Sequence, residues 1–129
     1  MTGGTAGKLG KLLGPLGAEA LTVLWRAGRP LSVRQVQERL NQGRTDPLAY
    51  TTVMTVLSRL AARNVLHRSA AGRGFIYEPT VADVAELAVR DVIRDHGEAA
   101  VAHFVDQCRD EPQLRSRLMR LVRGDSGTG

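Results

Sequence analysis

Between Tyr50 and Arg63 the chain carries three threonines, two arginines and no acid: Thr51, Thr52, Thr55, Arg59 and Arg63. At helical spacing Val53, Val56, Leu57 and Leu60 form one apolar face, with Thr51, Thr55, Ser58 and Ala62 opposite. Thr52, Arg59 and Arg63 fall on one flank and Met54 on the other. Short hydroxyl side chains let a helix approach the floor of a DNA major groove and bond to base edges or phosphates. Arginines farther along suit phosphate or guanine. A solvated helix face is the plain alternative, and the lack of acid together with the basic segment that follows favours DNA. Thr51, Thr52 and Thr55 are thus candidates for base contact, and Tyr50, Arg59 and Arg63 for the backbone.

Two further arginines fit the same surface. Val65 to Arg68 and Phe75 to Glu78 are β-like runs around Ser69-Ala70-Ala71-Gly72-Arg73-Gly74. Glycines on either side of Arg73 predict a hairpin loop with Arg73 at its tip, suited to phosphate or the minor groove. An exposed turn arginine is the alternative. Arg34 falls in the first turn of a helix, where a cation opposes the helix dipole, and a nearby phosphate would offset that cost.

Other chemistry finds little support. Gly72-x-Gly74 lacks the third glycine and the βαβ setting of a phosphate loop, and there is no Gly-x-Ser-x-Gly or His-Glu-x-x-His. His103 and Cys108 fall about 140° apart on a helix and form no local dyad. His96, His103 and Cys108 would gather a metal only across subunits. Cys108 on an apolar face reads as a small buried hydrophobe, and Trp25 and Phe104 read as core. The expectation is no enzyme, no metal and no cofactor.

The scaffold follows from patterning. Residues 1–11 are Gly-rich and read as a flexible tail. Pro15 suits a helix start. From Leu16, a face of Leu16, Ala20, Val23 and Leu24, with Leu21 and Trp25 beside it, predicts a helix stopping near Ala27-Gly28. Pro30-Leu31 is a short extended link. Ser32 with Gln35 forms a capping box for a second helix to about Gln42, with Val33, Val36 and Leu40 inward. Gly43 to Pro47 is a polar turn, the helix from Tyr50 to Arg63 follows, and Asn64 is a left-handed stop. Helix, short strand, helix, turn, helix and hairpin are the order of a winged helix-turn-helix. The fold class is mostly α, with a small two-stranded wing, over residues 12–79.

After Pro79, Thr80 is expected to cap a helix to about His96, with Val81, Val84, Leu87, Ala88, Val92 and Ile93 along one stripe. Gly97 breaks it. A fifth helix, Glu98 to Cys108, aligns Val101, Phe104, Val105 and Cys108, and a sixth after Pro112 aligns Leu114, Leu118, Leu121 and Val122. About 45 residues are little material for an independent core. Residues 80–123 are therefore expected to form a dimerisation region. Val84, Leu87, Val101, Phe104, Val105, Leu114, Leu118 and Leu121 would meet the same helices of a second copy, and 124–129 would be a flexible tail.

At 129 residues, with 43% hydrophobic and 24% charged, the chain has one domain's length and an ordinary soluble composition. No run of 18 apolar residues exists, so no membrane insertion is expected, and the Gly-rich start lacks an apolar signal segment. One cysteine excludes a disulfide framework and a Cys-only zinc site. The cytoplasm is the expected compartment. The net charge of +5 divides unevenly. Residues 1–79 hold 11 basic and 4 acidic residues, and 80–129 hold 7 and 9. A basic first part suits a polyanion and the second part suits another protein chain.

Three segments carry a family resemblance: Pro30 to Val36 (PLSVRQV), Leu48 to Leu60 (LAYTTVMTVLSRL) and Gly72 to Pro79 (GRGFIYEP). They resemble the BlaI/MecI/CopY family of penicillinase-type repressors, above all its actinobacterial members, over residues 12–123. The resemblance implies a dimeric winged-helix repressor that binds an inverted-repeat operator in double-stranded DNA. The helix from Tyr50 to Arg63 would read bases through Thr51, Thr52 and Thr55, and Arg73 would meet the backbone. Members that answer β-lactams work with a membrane-bound sensor protease and are cut between an Asn and a Phe. Here His103 stands in the Asn position before Phe104, so that cleavage position departs from the pattern. Gly17 replaces a usual acid, and the Cys-x-Cys pairs of the copper-responsive branch are absent. The alternative function is a winged-helix protein-interaction module without sequence-specific DNA binding.

Overall fold

A computed structural model of the protein describes residues 2–124, with side chains from residue 7. Its elements are α1 (Thr2–Leu13), α2 (Pro15–Ala27), β1 (Leu31–Ser32), α3 (Val33–Asn41), α4 (Tyr50–Ala62), β2 (Leu66–Ala71), β3 (Gly74–Pro79), α5 (Val84–His96), α6 (Glu98–Arg109) and α7 (Pro112–Val122). Apart from Gly124, the tail expected over 124–129 lies outside the described residues.

Local chemistry sets most boundaries. Ser32 Oγ accepts the Gln35 N–H and Gln35 Oε1 accepts the Ser32 N–H, a complete capping box. Gly28 stops α2 at φ 66°, a left-handed conformation that costs glycine little. Asn64 takes the same region at φ 61° after α4.

The wing differs in length from the expected loop. Strand β2 extends through Ser69, Ala70 and Ala71, and Ala71 pairs with Gly74. The turn is therefore Gly72-Arg73, with Gly72 at φ 60° as the first central residue. Leu31 and Ser32 pair with Tyr77 and Ile76, so the sheet has three antiparallel strands in the order β1-β3-β2.

The chain divides into two compact units between Ala88 and Val89. The core of the first joins Ala20, Leu21 and Leu24 of α2, Val33, Val36 and Leu40 of α3, Val53, Leu57 and Leu60 of α4, and Leu66 and Tyr77 of the sheet. Removing one such leucine side chain costs about 2–5 kcal/mol. Trp25 is half-buried, and its Nε1 donates to the Val81 carbonyl at 2.9 Å.

Four expectations are corrected here. The stretch read as a tail is largely the helix α1, and its Leu9 is buried in the core. The first unit also runs past Pro79, because Val81 and Leu87 are buried in its core and Val84 packs against it. Leu87 and Val84, expected to meet a second copy, are thus engaged inside one chain. Thr80 does not cap α5: its hydroxyl donates to the Asn64 carbonyl, while Asp83 Oδ1 accepts the Glu86 N–H and Glu86 Oε1 accepts the Ala82 N–H. Finally, Phe104 is exposed and not part of any core of the single chain.

In the second unit α6 packs against α7 and Cys108 is buried. Asp91 is largely buried and pairs with Arg94 at 3.1 Å. Of the twelve exposed large hydrophobic residues described, nine lie after Ala88: Val89, Val92, Ile93, Val101, Phe104, Leu114, Met119, Leu121 and Val122. No described helix is long and apolar enough to cross a membrane.

Candidate nucleic-acid interface

The position of α4 is set by the turn before it. Asn41 Oδ1 accepts the Leu48 N–H at 2.7 Å, and the Leu48 carbonyl accepts from Asn41 Nδ2 and Gln37 Nε2, both at 3.1 Å. Two side-chain amides thus satisfy both backbone groups of Leu48, two residues before α4 begins. Arg44 closes the other side of the turn. Its Nη2 donates to both Glu19 carboxylate oxygens at 2.9 and 3.0 Å, and its Nε to the Leu40 carbonyl at 3.1 Å. Sequence reading saw only a polar turn here. The signal was the Asn41 and Gln37 amides facing a short loop, whose partners become visible only once the turn is folded.

On α4 the apolar face is buried and Thr51, Thr52 and Thr55 are exposed. Thr55 Oγ1 donates to the Thr51 carbonyl at 2.9 Å. Ala49 precedes the helix and provides no side-chain cap for its first-turn N–H groups.

Arg34, Tyr50 and Arg73, separated widely in sequence, line one groove of about 570 Å³ between the starts of α3 and α4 and the wing. Met54, Ser58, Phe75 and Arg68 line it too, and no carboxylate does. Arg68 was not singled out from sequence. It sits in β2 opposite Tyr77, and its Cζ lies 4.3 Å from the centroid of the Phe75 ring. The hairpin register makes that diagonal contact, which spacing along the chain does not display.

The other candidates separate from this groove. Arg59 is exposed beside Val56 and the junction of α1 and α2. Arg63 is also engaged within the chain: its Nη1 donates to the Leu12 carbonyl at 2.8 Å, so it caps the C-terminal end of α1, where a cation suits the helix dipole. In α6, Val101, His103 and Phe104 are exposed and Val105 half-buried, and in α7 Leu114 and Leu121 are exposed and Leu118 half-buried. His103 and Phe104 fall in the middle of α6, which runs unbroken from Glu98 to Arg109.

A helix pair joined by an eight-residue turn, its second helix presenting a polar acid-free face, and a β-hairpin wing in a three-stranded sheet define a winged helix-turn-helix protein. Within that class the chain belongs to the penicillinase repressor family, whose model matches residues 13–122. It is similar to the transcriptional regulator BlaI of Mycobacterium tuberculosis, from strain CDC 1551 / Oshkosh and from strain H37Rv. Each is 40% identical over 121 residues, covering 87% of this chain and 86% of the relative.

Proposed function

We propose that the protein is a transcriptional repressor that binds an inverted-repeat operator as a homodimer, with α4 in the major groove and the wing on the flanking backbone. The observation that carries this reading is the acid-free groove where Arg34, Arg68 and Arg73 meet beside the outward threonines of α4. Three cations in one groove, none paired with a carboxylate among the described residues, are arranged for an external polyanion. Thr51, Thr52 and Thr55 meet base edges, and the uncapped start of α4 adds amide N–H donors for a phosphate. Membership of a repressor family and the BlaI relatives support the same assignment.

Repression is steric: the dimer occupies an operator that overlaps a promoter. The second copy covers the apolar residues that α5, α6 and α7 leave exposed beyond Ala88. Derepression follows loss of the dimer.

The test is selection of tight-binding duplexes from a randomised library, followed by salt titration on the selected and a random duplex. The expected result is an inverted repeat, with affinity for both duplexes falling steeply as salt rises. Binding to neither duplex at low salt overturns the proposal and leaves the winged helix as a protein-interaction module.

A further inference from the structure

Besides Arg73 at its tip, the wing carries a second cation on its inner face, Arg68, held over the Phe75 ring. Side chains alternate along a strand, and directly paired residues share a face. Leu66, Arg68 and Ala70 of β2 therefore face the same way as Pro79, Tyr77 and Phe75 of β3. The lower part of that face is core, since Leu66 and Tyr77 are buried. Arg68 and Phe75 continue it outward into the groove lined by Tyr50 and Met54 of α4. Arg68 thus points into the gap between the reading helix and the wing, whereas Arg73 occupies the turn at the hairpin end.

We propose that Arg68 holds a phosphate of the DNA strand that enters this gap, and that Phe75 positions it. The inference rests on the DNA-binding reading above. An arginine held over an aromatic ring is engaged through its flat face, which leaves the N–H donors at its edge available for phosphate oxygens. The ring also fixes a side chain that otherwise loses considerable rotamer freedom on binding. Among the described residues Arg68 has no carboxylate partner, and Arg34 and Arg73 line the same groove. A phosphate relieves the repulsion among these like charges. Phe75 is 44% exposed, a large apolar ring kept at the surface, and its contact with Arg68 gives that exposure a purpose.

The experiment measures affinity of the full chain for a fluorescein-labelled random-sequence duplex, across a salt series, with five variants. Arg68→Ala should lower the salt slope by about 1.8, the share of one phosphate contact in each subunit of the dimer. Phe75→Leu keeps the positive charge and most of the apolar volume. It should weaken binding about two- to five-fold for each subunit of the dimer, the worth of an exposed cation–π contact, and leave the slope unchanged. Adding Phe75→Leu to Arg68→Ala should cost nothing further, because the ring acts through the arginine. Arg26→Ala, in the separate groove between α1, α2 and α3, should leave both affinity and slope unchanged. Thermal melting of each variant confirms the fold, and Arg68→Lys provides a second route: the slope should persist while affinity falls. An unchanged slope in Arg68→Ala overturns the phosphate assignment, and additive losses in the double variant overturn the positioning role of Phe75. If the wild-type chain fails to bind duplex at low salt, the DNA-binding reading itself falls and takes this inference with it.

Discussion

Thr55 donates its hydroxyl proton to the Thr51 carbonyl, which narrows what it can offer a base. It presents oxygen lone pairs and a methyl group, so it suits the amino group of adenine or cytosine, or the thymine methyl. Thr55→Ala should leave the melting temperature within a few tenths of a kcal/mol of stability, because the site is exposed and propensity alone changes. The same change should reduce discrimination between selected and random duplexes by about 1–3 kcal/mol. Thr55→Val keeps the methyl and should restore discrimination only if that group does the reading. Arg73→Ala should behave oppositely: a similar loss on all sequences, a salt slope lower by about 2 (one contact in each subunit of the dimer), and an unchanged specificity ratio. If Thr55→Ala preserves that ratio at matched salt, α4 is not docked with this face on the bases. The threonine face was legible because helical phase alone decides which side is outward. Arg63 shows the limit of the same reasoning. Phase placed it on a flank, but its partner is the carbonyl of Leu12, 51 residues earlier, and spacing says nothing about what waits on a flank. Arg68 was passed over because its neighbour is set by hairpin register, and the wing was read with a longer loop than the two-residue turn it has.

Elements bounded by local chemistry were the readable ones. The Ser32–Gln35 box, the Gly28 stop and Asn64 are each determined by residues a few positions apart. The first helix was not readable, for a reason of energy. Gly3, Gly4, Gly7 and Gly10 lie within α1, and each glycine is about 1 kcal/mol worse than alanine in a helix interior. Such a segment has no helical stability of its own, and docking supplies it: Leu9 is 2% exposed, Leu12 and Leu13 pack on the core, and Arg63 caps the end. Leu9→Ala should therefore lower stability by about 2–5 kcal/mol in urea titration. The family match begins only at residue 13, so the winged helix itself should survive the change. An unchanged midpoint would show that α1 is not docked. The turn before α4 offers a second check at this scale. Asn41→Ala removes two hydrogen bonds to Leu48 and should cost about 1–3 kcal/mol. It should also weaken selected duplex more than random duplex, since α4 would lose its fixed orientation while the cations remain. Equal weakening of both would mean that the Leu48 anchor has no part in specificity.

For the whole molecule, the distribution of apolar surface governs assembly. The first unit buries most of its large hydrophobic residues, Tyr50, Met54 and Phe75 being exposed, and uses α5 up to Ala88 in doing so. The second has helices α6 and α7 and the rest of α5, with Phe104 56% and Val122 73% exposed. That imbalance was anticipated from composition, since about 45 residues make a poor independent core, but its boundary was placed too early. Pattern recognised the stripe Val84, Leu87, Val92, Ile93 as continuous, whereas folding assigns its beginning to the core and leaves Val92 and Ile93 outside it. A truncation after Pro79 would thus remove core residues as well as the proposed interface, and a point change in the full chain is the sharper test. Phe104→Asp replaces a ring already exposed in the single chain, so each subunit should fold as before. In a dimer the same position would bury an unpaired carboxylate, a cost of several kcal/mol. Sedimentation at micromolar concentration should show wild type as a dimer and the variant as a monomer. Binding should change with it. A dimer on an inverted repeat makes its second half-site contact at a high effective concentration, which the monomer forfeits. The variant's affinity for the selected duplex should drop by about 100-fold or more, and its salt slope should fall to about half, because one subunit neutralises half the phosphates. Affinity for a single half-site should stay the same. A wild-type chain that sediments as a monomer, or a Phe104→Asp chain that remains a dimer, would move the assembly surface away from α6 and remove the basis for steric repression by a paired repressor.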